Sequence, residues 1–420
     1  MKIRFKCITI LILFFCTFFS SVSFASEDLN IDSGACILVD MNYGQILYEK
    51  NSSDKLYPAS TTKLMTAILV SEKCNLNDDV TISYWAVNSV PSGYSSGKIS
   101  PGKSYTVEEL LNITMIASAN DAAFALAEHI ANLDNPNYLK NSSSDAKKSF
   151  EESINKFSEM MNQKAKEIGC LNSNFVNPNG IHNENHYSTA YDLALIGAYA
   201  YSNMHIRLIC SKTTYTLSKN SVEYKSTNQL LVRDSNYYYE YANGLKTGYT
   251  DPAGHCIIAT ASKDDRNLLV VILNGYTLED DTATRETDCI NLFNYGFDCF
   301  SPTELIHEGD VIRKINIFNG TMSTKSLDLI CTDSLHCLIP KGKVVDVTPN
   351  IELINTIAPI ANKQIVGTIT YNIDGIKYSS NLIATHDVYS SNVTHILIVL
   401  FGIFIILLIP VIVLSIKDRY

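Results

Sequence analysis

The sequence predicts an α+β protein: a mixed domain of strands and helices, a small all-β domain, and one transmembrane helix at the C-terminus. Three observations carry this. Residues 37–39, 45–48, 256–261 and 267–274 are short β-rich runs, while 61–73, 106–116 and 282–300 repeat apolar residues at helical spacing. After Ser301-Pro302 only short alternating segments follow, at 314–318, 326–330, 366–373 and 376–380. Residues 396–416 are 21 positions without a charge, which as a helix span about 31 Å, a bilayer core.

From the N-terminus, Lys2, Arg4 and Lys6 precede an apolar run to Phe19, and Ser23-Phe24-Ala25 offers a cleavage site. Residues 1–25 therefore read as a signal peptide, the alternative being an uncleaved anchor. The runs 37–39 and 45–48 form a strand pair across Asp40-Met41-Asn42-Tyr43-Gly44. Thr106 and Glu109 make a capping box for the second helix. Residues 134–149 read as a polar surface insertion, and helical spacing returns from 150 to 168. Lys263-Asp264-Asp265-Arg266 turns a hairpin, and Asp374-Gly375 signals another. The expected domains are 26–305, 308–388, a linker at 389–395, the spanning helix 396–416 and a cytoplasmic tail 417–420. Lys417 and Arg419 place that tail inside; a buried core helix is the alternative for 396–416.

Composition excludes several classes. Of 420 residues, 46% are apolar and 18% charged, which supports a packed core and rules out wholesale disorder. The net charge is −10, and the stretch 26–395 alone carries −14. Without a basic block such a chain does not bind nucleic acid. Nine cysteines in 26–395, with no tight C-x-x-C pair, argue against a disulfide framework or zinc site. Most read as small buried hydrophobes; the pairing of Cys331 with Cys337 stays open.

Three short motifs carry the chemistry. In Ser60-Thr61-Thr62-Lys63 the serine and lysine lie three apart, on one helical face. A serine needs a neighbouring base to become a useful nucleophile, and a lysine needs burial or a nearby cation to serve as one. Ser118-Ala119-Asn120 offers a hydroxyl for proton relay and an amide to hold a substrate amide. Lys246-Thr247-Gly248 precedes the hairpin, where an edge strand would present backbone groups and positive potential to an extended peptide. Each motif alone is weak. Together, in this order, S-x-x-K, S-x-N and K-T-G are the signature of penicillin-binding proteins and class A β-lactamases.

The resemblance extends further. Tyr57-Pro58-Ala59-Ser60-Thr61-Thr62-Lys63-Leu64-Met65-Thr66, His186-Tyr187-Ser188-Thr189-Ala190 and Gly244-Leu245-Lys246-Thr247-Gly248-Tyr249-Thr250 resemble the low-molecular-mass serine D-alanyl-D-alanine carboxypeptidases of bacterial walls. Ala358-Pro359-Ile360 through Gly367 is similar to that family's C-terminal β domain. The resemblance implies an antiparallel sheet flanked by helices, with the site between sheet and helical lobe. It implies Ser60 as nucleophile, Lys63 as its base and Ser118 as proton relay. Asn120 and Lys246 would position substrate, Gly248 would permit its close approach, and the N–H groups of Ser60 and Tyr249 would form the oxyanion hole. Thr247 and Arg285 would hold the substrate's terminal carboxylate. The implied partners are peptidoglycan stem peptides, β-lactam inhibitors and the cell membrane, with the catalytic domain on the wall side. No cofactor or metal is implied.

Departures and decoys sharpen the expectation. Asn179 stands where many relatives have histidine. Glu108-Glu109-Leu110-Leu111-Asn112 fits the E-x-x-L-N pattern of class A β-lactamases but precedes Ser118 instead of following it. His182 and His186 are four apart without the H-E-x-x-H pattern of a zinc peptidase. The competing readings are a β-lactamase and a non-catalytic penicillin or muropeptide receptor.

Overall fold

The computed structural model describes residues 29–135, 144–217, 221–342, 347–373 and 376–417. The expected signal peptide, 1–25, and the Asp374-Gly375 turn lie outside them. The chain divides into two compact units, Met1–Phe300 and Ser301–Tyr420.

The first unit is built on a five-stranded antiparallel sheet. Its strands run, from one edge to the other, Gln45–Lys50, Ala35–Asp40, Arg266–Gly275, Gly254–Lys263 and Ala242–Thr250. The hairpin at its centre turns through Asp264 and Asp265, whose φ of 50° and 60° give the mirror-image turn that matches strand twist. Because neighbouring strand residues point to opposite faces, Leu268 lies under helix Thr284–Cys299 and Leu269 under helix Ala190–Ser202. Both helices come close through a glycine: a Cβ on Gly296 would stand 2.6 Å from Leu268, and one on Gly197 would stand 2.8 Å from Leu269.

Around the second of these helices gathers an all-helical lobe made of Lys63–Lys73, Val107–Ile116, Asn120–Ala131 and Ser144–Ile168. Thr106 and Glu109 complete their capping box in both directions, at 3.1 and 2.9 Å. The last helix starts at Ser144, inside the stretch 134–149 that the sequence assigns to a polar insertion. Its charged opening is a solvated face, where Lys147 and Lys148 reach Glu151 and Glu152 one turn on.

The second unit has a five-stranded antiparallel sheet in the order Val311–Asn316, Ser326–Cys331, Ile376–Ala384, Ile365–Ile373, Asn350–Leu353. Phe300–Ile306 and Leu335–Pro340 pair separately. Leu327, Leu329, Val366, Ile369 and Leu382 form its core.

Cys36, Cys170, Cys210, Cys256 and Cys289 of the first unit are all buried, and burial pushes each thiol's pKa up. Cys331 directs its thiol to the His307 carbonyl and is not bonded to Cys337.

The final helix, Asn392–Lys417, contains the whole of 396–416, with Pro410 inside it. Among the described residues no helix is long and apolar enough to cross a membrane. The side chains of this helix are described only at 396 and 399–410, a stretch shorter than a crossing needs.

Candidate active site

Ser60 sits in a tight turn. The chain enters through Pro58 into a short 3-10 helix, Ala59–Thr62, and then into the α-helix Lys63–Lys73. Ala59 holds a φ of 46°, a left-handed conformation that costs a non-glycine residue about 1–2 kcal/mol. Thr61 returns its hydroxyl to the Pro58 carbonyl at 2.7 Å and keeps the turn closed. Two glycines press against it from outside. A Cβ on Gly248 would lie 2.7 Å from the Ser60 nitrogen, and one on Gly180 would lie 1.8 Å from the Ala59 carbonyl oxygen. No other residue fits either position without moving the serine.

Beneath the serine, Lys63 is fully buried. Its Nζ stands 2.8 Å from Ser60 Oγ, 2.8 Å from Asn120 Oδ1 and 2.7 Å from the Asn179 carbonyl oxygen. Burial holds its pKa well below the ordinary lysine range; the charge of Lys246 pushes the same way, and Asp121 opposes it. A neutral amine has two hydrogens and one lone pair. If it gives both hydrogens to the carbonyl oxygens its lone pair faces the Ser60 hydroxyl, whereas a charged amine donates to all three oxygens and Ser60 Oγ then donates to the Asn179 oxygen 3.4 Å away.

Ser118 and Asn120 flank the start of helix Asn120–Ala131. Ser118 also has a left-handed backbone, φ 58°. The Asn120 amide donates to the Ser95 carbonyl at 2.8 Å. Asp121 carries the loop on which Ser95 sits, accepting from the Gly97 N–H at 2.7 Å and the Ser96 hydroxyl at 2.6 Å.

Lys246, Thr247 and Gly248 lie on the edge strand Ala242–Thr250, which packs on the serine turn. Lys246 is 1% exposed, and burial lowers its pKa to about 7, with Arg285 acting in the same direction and Cys210 against it. Thr247 shares a 2.6 Å hydroxyl contact with Thr227. Tyr249 is exposed, stacks obliquely on His255 with centroids 4.6 Å apart, and donates to Asp251 at 2.8 Å.

These elements enclose a cavity of about 570 Å³. Ser60, Ser118, Asn120, Thr247, Gly248, Tyr249 and Arg285 all line it, together with residues 92–95, Thr227, Thr250, Asp251 and His255. Lys63 and Lys246 lie below the surface. Arg285 is paired with the neighbouring Glu286 carboxylate. The structure thus collects every residue singled out in the three motifs, and Arg285, at one place.

Several contributors carry no sequence signal. The Asn179 and Ser95 groups that hold Lys63 and Asn120 are backbone carbonyls, which every residue has. Thr227 lies in no motif. His186 is buried with its Nε2 2.8 Å from Thr62 Oγ1, and its Nδ1 accepts from the Val176 N–H at 3.2 Å. Both ring nitrogens are engaged in packing, and burial pushes its pKa down to about 3. Glu109 serves as a helix cap.

Comparison with known proteins adds an independent line. Residues 22–277 match the family described as D-alanyl-D-alanine carboxypeptidase, and residues 300–392 match the penicillin-binding protein 5 C-terminal domain. The chain is 29% identical over 373 residues to the D-alanyl-D-alanine carboxypeptidase DacF of Bacillus subtilis, covering 85% of this chain and 87% of that one. It is 29% identical over 381 residues to DacA of Escherichia coli K12, covering 86% of each. Penicillin binding protein 5 from Haemophilus influenzae superposes with a TM-score of 0.66 at 29% identity, over 86% of this chain and 98% of that one.

Proposed function

The chain belongs to the D-alanyl-D-alanine carboxypeptidase family, and on that premise we propose that it removes the terminal D-alanine from peptidoglycan stem peptides through an acyl-enzyme on Ser60. The observation that carries this is the buried Lys63 amine 2.8 Å from the Ser60 hydroxyl.

Lys63 takes the hydroxyl proton as Ser60 Oγ bonds to the carbonyl carbon between the last two D-alanines. The resulting oxyanion is held by the N–H groups of Ser60 and Tyr249; one donor of this kind is worth about 3–4 kcal/mol of barrier. The C–N bond breaks, and the proton held by Lys63 passes to the departing D-alanine amine by way of Ser118. Water then cleaves the ester and frees Ser60. Asn120 orients the substrate amide, while Thr247, Lys246 and Arg285 draw the terminal carboxylate to the edge strand. A β-lactam acylates the same serine, its amide taking the place of the scissile bond. No step needs a metal or cofactor.

Arg285→Ala is expected to lower kcat/KM on a pentapeptide with a free terminal carboxylate by about ten- to hundredfold, the worth of a charged hydrogen bond. Amidating that carboxylate should abolish the difference between variant and parent; an equal loss on both peptides would return Arg285 to a structural role.

The pH profile follows from the two lysines. Below its depressed pKa Lys63 holds a proton and cannot act as base, so penicillin acylation should rise with pH. As pH passes about 7, Lys246 loses the charge that attracts carboxylate, so the rate should fall again. Lys246→Arg keeps its charge throughout and should remove the alkaline limb; labelling rates measured across that range would show the limb unchanged if Lys246 were not its cause.

The membrane assignment rests on residues 396–416 and on what surrounds them. Ile403, Phe404, Ile405, Ile406 and Leu407 are five consecutive exposed apolar residues. At 100° per residue they encircle the helix, so at this level no side is packed against protein, and hydrocarbon is the solvent that suits it. The expected arrangement is single-pass, with the catalytic unit on the wall side.

A further inference from the structure

We infer that one end of the β unit, formed by Phe318, Met322, Ile354, Ile357 and Tyr389, rests in the headgroup layer of the bilayer beside the point where the chain enters it. This rests on the membrane reading above. The five side chains are exposed by 70, 84, 71, 58 and 61%, although most large apolar residues of this unit are in its core.

They come from three segments that the backbone ties together. Phe318 donates its N–H to the Thr356 carbonyl at 2.8 Å and accepts from the Ala358 N–H at 2.9 Å. Thr321 donates to the Tyr389 carbonyl at 2.9 Å. Residues 317–324 and 353–362 contain no charged residue, in a chain whose net charge is −10. On the third segment His386 is half-buried against the Thr324 carbonyl, and Asp387, though exposed, is tied to the Asn362 N–H at 2.7 Å and is the one carboxylate beside the patch there.

Lipid is favoured over a protein partner by continuity of the chain. Ser391 donates to the Asn319 carbonyl at 2.7 Å, and the apolar helix begins at the next residue, Asn392. The root of that helix is therefore pinned beside Phe318, and whatever layer receives the helix also meets the patch. Tyr389, three residues before that helix, is one of the two aromatic types enriched at membrane interfaces. The opposite end of strand Val311–Asn316 is different in kind. It lies roughly 20 Å away at about 3.3 Å per residue, and Glu308 and Asp310 are exposed there.

The test uses the full chain in phospholipid vesicles. Trp85 is the sole tryptophan, so Trp85→Phe supplies a dark background for Phe318→Trp, Ile357→Trp and Val311→Trp, each checked for folding by circular dichroism and a thermal melt. Lipids brominated near the headgroup end of the acyl chain should quench tryptophan at 318 and 357 and leave 311 unchanged. Vesicle-bound protein in which 318 and 357 are no more quenched than 311 would overturn the inference and leave the anchor standing. Protein that fails to float with the vesicles would overturn both.

Discussion

Ser60→Ala is expected to abolish D-alanine release and covalent penicillin labelling together. The side chain to be removed is one hydroxyl that faces the cavity, with Lys63 Nζ at 2.8 Å and a long contact to the Asn179 carbonyl at 3.4 Å. Lys63 keeps its two carbonyl partners, Asn120 Oδ1 and the Asn179 oxygen, so it is not left unsatisfied. The stability change should stay within about 1 kcal/mol, the worth of one ordinary hydrogen bond. Product mass spectrometry on a pentapeptide, labelling with a fluorescent penicillin and a thermal melt check the three parts. A surviving adduct on a protein of normal melting temperature would move the nucleophile elsewhere, with Ser118 the next hydroxyl in the cavity.

Lys63→Arg is the second large effect. Arginine keeps its proton at any working pH, so it supplies charge where a lone pair is needed. General-base assistance is commonly worth about 10²–10⁴ in rate, and acylation should fall by about 10³. Arginine is also the longer side chain in a fully buried position. Lys63→Met separates these causes: its volume fits, it has no charge, and it should be equally slow. Should Lys63→Arg acylate at near the parental rate, the base must be some other group and the lone-pair geometry has no catalytic meaning.

Much of this was readable before any coordinates. Ser60 and Lys63 share a helical face, and the Thr106–Glu109 capping box states its own hydrogen bonds. The run before the 256–274 hairpin is where an edge strand would present Lys246, and the sheet order puts it there. What could not be read has a common cause. Ala59 adopts a left-handed backbone that alanine does not prefer, because the turn is held from outside by Gly180 and Gly248. Ser95 and Asn179 act through carbonyls that leave no mark on residue identity. The helix from Ser144 opens on lysines and acids that look like loop when their partners one turn on are not counted. The strands Leu335–Pro340 and Asn350–Leu353 are short, and the latter alternates half-buried with exposed positions, so the period-2 signal is faint.

The sequestered sulfhydryls of the first unit bear on how such a protein withstands oxidants. Cys36, Cys170, Cys210, Cys256 and Cys289 are shielded from oxidants only by the packing around them, and their suppressed thiolates react slowly while that packing holds. Once the unit opens in an oxidising medium, five reactive groups appear on one chain and can cross-link in non-native pairs. Its working lifetime is then governed by how seldom it opens, a barrier height, more than by the balance between folded and unfolded states.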